Sequence, residues 1–343
     1  MSYPKISINE DIAIAKTMPS YYYTEPYYYS LTIDNIFKNS WQIIKNDIDL
    51  NKINPINFLS DSINEPLLIS YKDKRYNLFS NVCTHRANIL CSIPINAKTI
   101  KCNYHGRIFD NYGKVVKSPG FKKNKNFPDN NDNLKNYPIK QWKQFLFYSL
   151  GGKIDISKVL ADIENRLSDY PFDMISYDQK KSKTYILNAN WSLYCENYLE
   201  GFHVPFIHKG LNSEIDLNTY KTELLVNGVL QYTENKNKKV YAYYYWIFPN
   251  IMLNFYSWGL SINIIEPISI DKTRINFLSY PISGKEQPIS NASSLDNVEK
   301  EDQEIVLNVQ RGVKTLSYNS GKYSAEHELG VHHFHRLISK YLQ

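Results

Sequence analysis

The stretch CTHRANILCSIPINAKTIKCNYH, Cys83 to His105, holds three of the four cysteines and two of the eight histidines of a 343-residue chain. Cys83 and His85 form a C-x-H pair; Cys102 and His105 form a C-x-x-H pair sixteen residues further on. Each pair sits in a short turn context followed by polar or glycine residues, so two loops each offer one thiolate and one imidazole. A structural zinc site accepts these four ligands, but its usual spacing groups like with like, C-x2–4-C and then H-x3–5-H. One thiolate and one imidazole per loop suits a two-iron cluster, with both thiolates on one iron and both imidazoles on the other. Cys91 is left over in an apolar stretch and reads as a small buried residue, as does Cys195.

A second constellation lies about a hundred residues on. NWSLYCENYLEGFHVPFIH contains E-x-x-H-x4-H. Glu200 and His203 are three apart and are expected to share a helix face. Pro205 is expected to break that helix and let His208 swing back towards His203. Two imidazoles and one carboxylate make the facial triad of mononuclear non-haem iron, although H-x4-H alone also fits solvated surface histidines. The carboxylate must come from elsewhere. In LDNVEKEDQEIVLNVQRGVKTL, steps of 100° put Val298, Ile305, Val309 and Leu316 on one face. Asp302 falls inside that stripe and Glu301 at its edge, while Asp296, Glu299 and Glu304 point away. A carboxylate on a buried face is costly unless paired or metal-bound, which selects Asp302 over its neighbours; a buried ion pair is the bland alternative. Glu200, one turn before a ligating histidine, suits the carboxylate that receives a ligand's free N–H. Asn197 either supports the same region or is a surface amide.

NVCTHRANIL followed by CNYHGRIFDNYGKV resembles the Rieske [2Fe–2S] domain of the Rieske non-haem iron oxygenases. EDQEIVLNVQRGV resembles that family's C-terminal acidic helix, and GKYSAEHELGVHHFHRLISKYL its closing helix, which is not a ligand source. ENYLEGFH is closer to the choline monooxygenase-like branch than to the naphthalene dioxygenase-like one. There is one departure: Arg107 follows the HG where many members carry Trp, a change in packing around the cluster loop and not in a ligand. The resemblance implies Cys83 and Cys102 on one iron, His85 and His105 on the other, and a mononuclear Fe(II) on His203, His208 and Asp302. It gives Glu200 the bridge from one subunit's cluster to its neighbour's iron.

The same resemblance implies a separate reductase or ferredoxin carrying electrons from NAD(P)H, O2 as co-substrate, and hydroxylation or oxidative demethylation of a small molecule. Monooxygenation and dioxygenation, aromatic ring hydroxylation included, both stay open. So does the presence of a β subunit beside a head-to-tail homotrimer. Tyr245, Phe248, Asn250, Asn254 and Tyr256, with Asn197, are the candidate cavity wall. An aromatic wall suits an aromatic ring or, by cation–π contact, a quaternary ammonium. The competing function is a Rieske-type electron-transfer metalloprotein without oxygenase chemistry; the complete second motif argues against it.

Two kinds of element must position these residues. PLLISY, YNLFSNV, KTIKCN and GRIFDNYGKVV have the rhythm of short antiparallel strands and turns, and Gly151–Gly152 punctuates their end. DISKVLADIENRL and NANWSLYCENYLEGFHVP then read as helices. ELLVNGVLQYT, KVYAYYYWIFP, IMLNFYSWGLSINIIEP and RINFLSYPI read as strands, a long helix covers roughly 292–316, and another closes the chain. The fold class is α+β. Residues 1–40 are a helical lead-in packing on the catalytic domain, and 41–150 the small antiparallel Rieske domain. Residues 151–343 are a catalytic domain with an antiparallel sheet flanked by helices, which the resemblance makes a helix-grip, START-like fold. Hydrophobic residues at 43%, charged residues at 22% and a net charge of +6 spread along the chain describe a folded, solvated protein and not a nucleic-acid binder. No long apolar run suggests a membrane span or signal peptide, and four cysteines suggest a reducing, cytoplasmic setting.

Overall fold

The computed structural model describes residues 3–45, 48–213, 215–235, 237–285 and 295–343, without the side chains of 295 and 296. The chain divides into Lys38–Lys153 and a second unit made of Met1–Phe37 with Ile154–Gln343.

Lys38–Lys153 is built of short strands: β1 (Gln42–Ile43), β2 (Asn54–Phe58), β3 (Glu65–Lys72), β4 (Arg75–Ser80), β5 (Thr99–Lys101), β6 (Ile108–Asp110), β7 (Val115–Lys117), β8 (Ile139–Trp142) and β9 (Phe145–Tyr148). They form three antiparallel three-stranded sheets, β1-β9-β8, β2-β3-β4 and β5-β6-β7. The β3–β4 hairpin closes Lys72 on Arg75 through Asp73 and Lys74, at φ 51° and 60°. Such left-handed pairs match the twist of the strands they join. Sheets this small cannot enclose a large core; one cluster, including Leu68, Phe79, Ile100 and Phe109, also takes in Cys83, Cys91 and Cys102. Cys91 is therefore packing, as its apolar neighbours suggest.

The second unit carries a seven-stranded antiparallel sheet of β10 (Asp178–Leu187), β11 (Ile215–Leu225), β12 (Gly228–Asn235), β13 (Val240–Ile247), β14 (Ile251–Tyr256), β15 (Gly259–Ser269) and β16 (Lys272–Pro281). The spatial order is β10-β16-β15-β14-β13-β12-β11. Consecutive hairpins run from β11 to β16, and β10 pairs with β16 at the far edge. β10 is polar over residues 178–184 and carries an apolar signal only in its last three residues; ELLVNGVLQYT holds the β11–β12 turn and not one strand. The helices are α1 (Ser20–Thr24), α2 (Pro26–Leu31), α3 (Ser157–Arg166), α4 (Trp191–Tyr198), α5 (Val204–Ile207), α6 (Lys209–Asn212), α7 (Leu295–Val313) and α8 (Leu329–Tyr341). The tyrosine-rich lead-in packs within this unit: Tyr23 donates to Glu196 at 2.9 Å, and Lys16 bridges Lys322.

Two helices differ from expectation. The segment holding Glu200 is not one long helix. α4 ends at Tyr198, Glu200 and Gly201 lie in the connection that follows, and Pro205 sits in the first turn of α5, where a proline lacks nothing by lacking an N–H. Of the long helix expected over 292–316, residues 292–294 lie outside the described residues, and α7 ends at Val313. Its buried face carries Glu299, Val306, Gln310 and Val313, whereas Val309 is 43% exposed and Leu316 lies fully in solvent. The buried stripe is thus turned by about one residue from the one apolar periodicity selects. Two of its positions are polar because they bond to α4 and its cap: Tyr194 donates to Glu299, and the Asn190 N–H donates to Gln310 at 2.6 Å.

α8 locks the sheet through Phe334, fully buried and edge-on to Trp191 and Trp246 at 5.7 and 5.1 Å. Phe334→Ala is expected to cost about 3–5 kcal/mol of unfolding free energy, read from denaturant midpoints. A change below about 1 kcal/mol would show that the ring contributes little packing.

Candidate active site

The two cysteine–histidine loops are built alike. Cys83 N–H donates to the Asn88 carbonyl and Cys102 N–H to that of Arg107, both at 2.8 Å. Ala87 N–H returns to Cys83 and Gly106 N–H to Cys102, at 2.9 and 3.0 Å. The returning residues, Ala87 and Gly106, have φ 55° and 72°. Both thiols are buried, His85 is half-buried and His105 is exposed, with ring centroids 4.7 Å apart. Burial pushes the Cys83 thiol up. Burial pushes Cys102 up too, but the Tyr104 N–H, the Cys83 thiol, the His105 N–H and the Asn88 amide, 3.7 Å away, outweigh it and hold this thiol below its ordinary range.

Among the described residues, no three ligand atoms of this set lie within 4.8 Å of one another. Ligands of one tetrahedral zinc ion stand about 3.3–3.8 Å apart at bonds of about 2.0–2.3 Å. The set is too wide for a single ion, and it fits a two-iron cluster with sulfur inward and nitrogen outward. Arg107 lies behind it, 2% exposed. Its guanidinium donates to Ser118, Thr84 and Asp132 at 3.1, 2.9 and 3.2 Å and lies over Phe121, whose ring meets His85 edge-on. The departure at this position therefore supplies an ion pair that ties the second ligand loop to Asp132, and a hydrogen bond from the same guanidinium to Thr84 of the first loop.

In the second unit, His203, His208 and Asp302 bring their ligand atoms within 4.8 Å of one another. His208 Nε2 is 3.0 Å, and His203 Nε2 3.6 Å, from Asp302 Oδ1. Adjacent ligands of a six-coordinate ion lie about 3 Å apart at bonds of about 2.1 Å. Each imidazole is held from behind: His203 Nδ1 by Glu200, which also accepts the His203 N–H at 3.0 Å, and His208 Nδ1 by Glu301 at 2.8 Å. Burial alone would lower the His208 pKa, but Asp302 and Glu301 raise it above its ordinary value. Surroundings that favour an imidazolium also favour a metal cation, so the donor set fits ferrous iron. Glu301, expected only at the edge of the stripe, is the second outer carboxylate. Glu299 does not point away: it is buried and borders the site.

A cavity of about 160 Å³ opens beside this triad. Alternate positions across the sheet line it, with Gln231, Tyr244, Asn254 and Ser261 paired in register on adjacent strands. Asn197, Asn254 and Tyr256 border it as expected; Tyr245, Phe248 and Asn250 do not. Tyr245 alternates to the opposite face and donates to Asp162 of α3 at 2.6 Å. Phe248 stacks on Tyr341 beyond the end of β13, and the Asn250 amide donates to the Ile265 carbonyl at 2.9 Å. Wall residues that sequence reasoning missed include Tyr194, Tyr198, Tyr220 and Tyr241, visible in sequence only as unassigned tyrosines. Burial pushes Tyr256 up to about 12, so it stays a neutral phenol. The histidine-rich tail is structural: His332 and His333 bond the carbonyls of Asn9 and Leu225, and His335 bonds Tyr323.

Residues 40–138 match the Rieske [2Fe-2S] domain family, and residues 174–226 and 219–343 match the family described as ring hydroxylating alpha subunit (catalytic domain). A chloroplastic choline monooxygenase of Amaranthus tricolor is 30% identical, over 93% of this chain and 76% of its own length. The carnitine monooxygenase oxygenase subunit of Escherichia coli (strain K12) is 25% identical, over 95% and 94%. A solved quaternary ammonium Rieske monooxygenase shares the fold at TM-score 0.77 and 21% identity, covering all of both chains. Naphthalene 1,2-dioxygenase from Rhodococcus sp. does so at 0.70 and 14%, over 95% and 93%.

His85→Ala or Cys102→Ser is expected to abolish the visible absorption of the cluster; an unchanged spectrum would exclude the residue as a ligand. Asp302→Ala is expected to lose mononuclear iron while keeping the cluster, so that iron falls from about three to about two per chain. Full retention of iron would transfer the ligand role to Glu301.

Proposed function

The chain belongs to the Rieske oxygenase α subunits, a family of oxidoreductases, and from that premise we propose that it hydroxylates, or oxidatively demethylates, a small methylated ammonium compound. One observation carries this reading: the His203–His208–Asp302 group opens into a small cavity walled by tyrosines. Tyrosine faces hold onium groups by cation–π attraction. Relatives named for choline and carnitine support the same substrate class.

In this reading His203, His208 and Asp302 hold the mononuclear iron, and Cys83, His85, Cys102 and His105 the cluster. When bound, the iron supplies O2 activation and the cluster supplies electrons one at a time. The chain's own residues orient and enclose. Glu200 and Glu301 fix the tautomer and plane of the two imidazoles, and the tyrosine wall keeps water from the reacting methyl group. Electrons come from NAD(P)H through a separate reductase or ferredoxin. Residues 41–150 form the cluster domain, with 1–40 and 151–343 making the catalytic one. Four free cysteines suit a reducing cytoplasm; among the described residues no helix is long and apolar enough to cross a membrane.

The working assembly is a head-to-tail homotrimer, a heterologous ring that closes on itself. Beside Glu200, Phe202 and Phe206 are 44% and 72% exposed; Tyr104, packed on His105, is 57% exposed. Both are apolar surfaces of the kind that partners cover. Glu200 keeps an exposed edge, 13% of its side chain, with which to meet an imidazole of a neighbouring copy.

Turnover of the iron-loaded protein with a reductase, read by mass over a panel of methylated amines, betaines and aromatic acids, tests the substrate class; product from the aromatic acids alone would overturn it. Glu200→Gln is expected to keep both metal contents while slowing cluster reoxidation at least about tenfold. Normal reoxidation would remove its bridging role, and full activity at a monomeric mass would remove the trimer.

A further inference from the structure

The net charge of +6 is divided unevenly between the two units. Lys38–Lys153 holds 19 lysines and arginines against 8 carboxylates, a formal +11, and the rest of the chain holds 21 against 26, a formal −5. From Cys83 to Lys125 there are nine cationic side chains and one acid, Asp110. That acid is committed to its own turn, where it accepts the N–H groups of Tyr112 and Lys114, both at 2.9 Å. The next two acids along the chain are also engaged: Asp129 accepts the Asn131 N–H at 2.7 Å, and Asp132 pairs with the buried Arg107. Arg86, Lys101, Lys117, Lys122, Lys123 and Lys125 are all exposed, and none of them forms an ion pair with another described residue.

The fold gathers these cations around the two ligand loops. Arg86 follows His85 directly. Lys101 and Lys117 flank Ile108 in register across β5-β6-β7, so they share one face of that sheet. The Lys101 chain lies against Gly106 of the second loop, and Pro119 covers the same glycine. Phe121, edge-on to His85 at 5.0 Å, begins the single turn Phe121–Lys123 that carries Lys122 and Lys123. Tyr104, packed on His105, adds an exposed aromatic ring. Like charges gathered on one surface repel one another, and an anionic partner relieves that repulsion.

We infer that this surface docks the electron donor, and that the donor is an acidic one-electron carrier protein. The inference rests on the cluster assigned above to Cys83, His85, Cys102 and His105. Electron-transfer partners must meet fast and part fast, so they use small contacts steered by opposite charge. Lysine suits that task, being a strongly hydrated point charge on a flexible stem. The step moves one electron from the reduced carrier to the oxidised cluster; no bond forms, and the carrier leaves oxidised. A plant-type ferredoxin has a lower potential than a Rieske centre, so the electron runs downhill. The competing occupant is a second copy of this chain. A lasting contact of that kind would bury the lysines, which the cores of protein interfaces exclude.

The test uses the full iron-loaded chain and a plant-type [2Fe–2S] ferredoxin as the probe, with dithionite as a small reductant. Three proteins are compared: the wild type, a triple reversal of Lys122→Glu, Lys123→Glu and Lys125→Glu, and a control reversal of Lys238→Glu, Lys239→Glu and Lys272→Glu on the other unit. Calorimetry reads ferredoxin binding, and anaerobic stopped flow reads bleaching of the cluster. Wild-type binding is expected to weaken at least about tenfold between about 0.02 and 0.3 M salt. At low salt the first reversal is expected to weaken binding and slow reduction by ferredoxin at least about tenfold, and the control to change either by less than about twofold. Dithionite is expected to bleach all three alike, and bound ferredoxin to protect Lys122, Lys123 and Lys125 of the wild type from acetylation, read by mass. A first reversal without effect overturns the inference, and so do equal effects of the two reversals, which would make net charge the cause. If the first reversal instead lowers the mass of the assembly, the lysines face a second copy and the inference falls. A wild type with no visible band for dithionite to bleach overturns the cluster reading and this inference together.

Discussion

Both imidazoles of the mononuclear centre are held from behind by a carboxylate, and most of the catalytic unit serves to keep both held at once. Glu200 comes from the turn after α4, and Glu301 and Asp302 come from α7. The two elements lie about a hundred residues apart in sequence, so their relative position has to be fixed by bonds and not by chain connectivity. Tyr194 to Glu299 and Asn190 to Gln310 are those bonds. Leaving such buried partners unmade would cost about 1–3 kcal/mol each. The polar character of the buried face of α7 follows from this constraint: its apolar positions pack, and its polar ones set the register against α4.

Residue types at short spacing were legible in the sequence. C-x-H with C-x-x-H, and E-x-x-H-x4-H, single out candidate ligands because each set is local to one or two loops. Asp302 was legible for a reason only half sound. Apolar periodicity places the buried stripe at Val298, Ile305 and Val309, whereas the helix buries Glu299, Val306 and Gln310. Asp302 adjoins both faces, so the same residue emerges from either. Glu299 was misplaced because a buried carboxylate with long-range partners looks, in one dimension, like any solvated glutamate. The cavity wall was legible only in part. In a run such as YAYYYWIFPN, alternation decides which tyrosine faces inward, and without the register Tyr244 and Tyr245 are interchangeable. The strand-like runs between 239 and 282 were legible as apolar stretches, but β10 was not, since residues 178–184 of that edge strand are all polar.

The cluster loops show how little sequence such a site needs. Two loops with the same pair of backbone bonds place cysteine on cysteine, and the difference between one and two intervening residues is absorbed at the histidines. One loop reaches its left-handed position with Gly106 and the other with Ala87, which bears a cost of about 1–2 kcal/mol for a residue with a Cβ. The cation of Arg107, buried against Phe121 and paired with Asp132, fastens a neighbouring loop to the second ligand loop and bonds Thr84 of the first. A tryptophan could fill this volume but could not make that ion pair.

The arrangement of thiols inward and imidazoles outward has an electrical meaning. With a cluster held by these four residues, the buried sulfur side would act as insulation, and the imidazole side would be a bare terminal through which charge could enter or leave. A protein surface seated on His85 and His105 would then do two things in one step: it would complete the circuit to its own acceptor and close the short circuit to solvent.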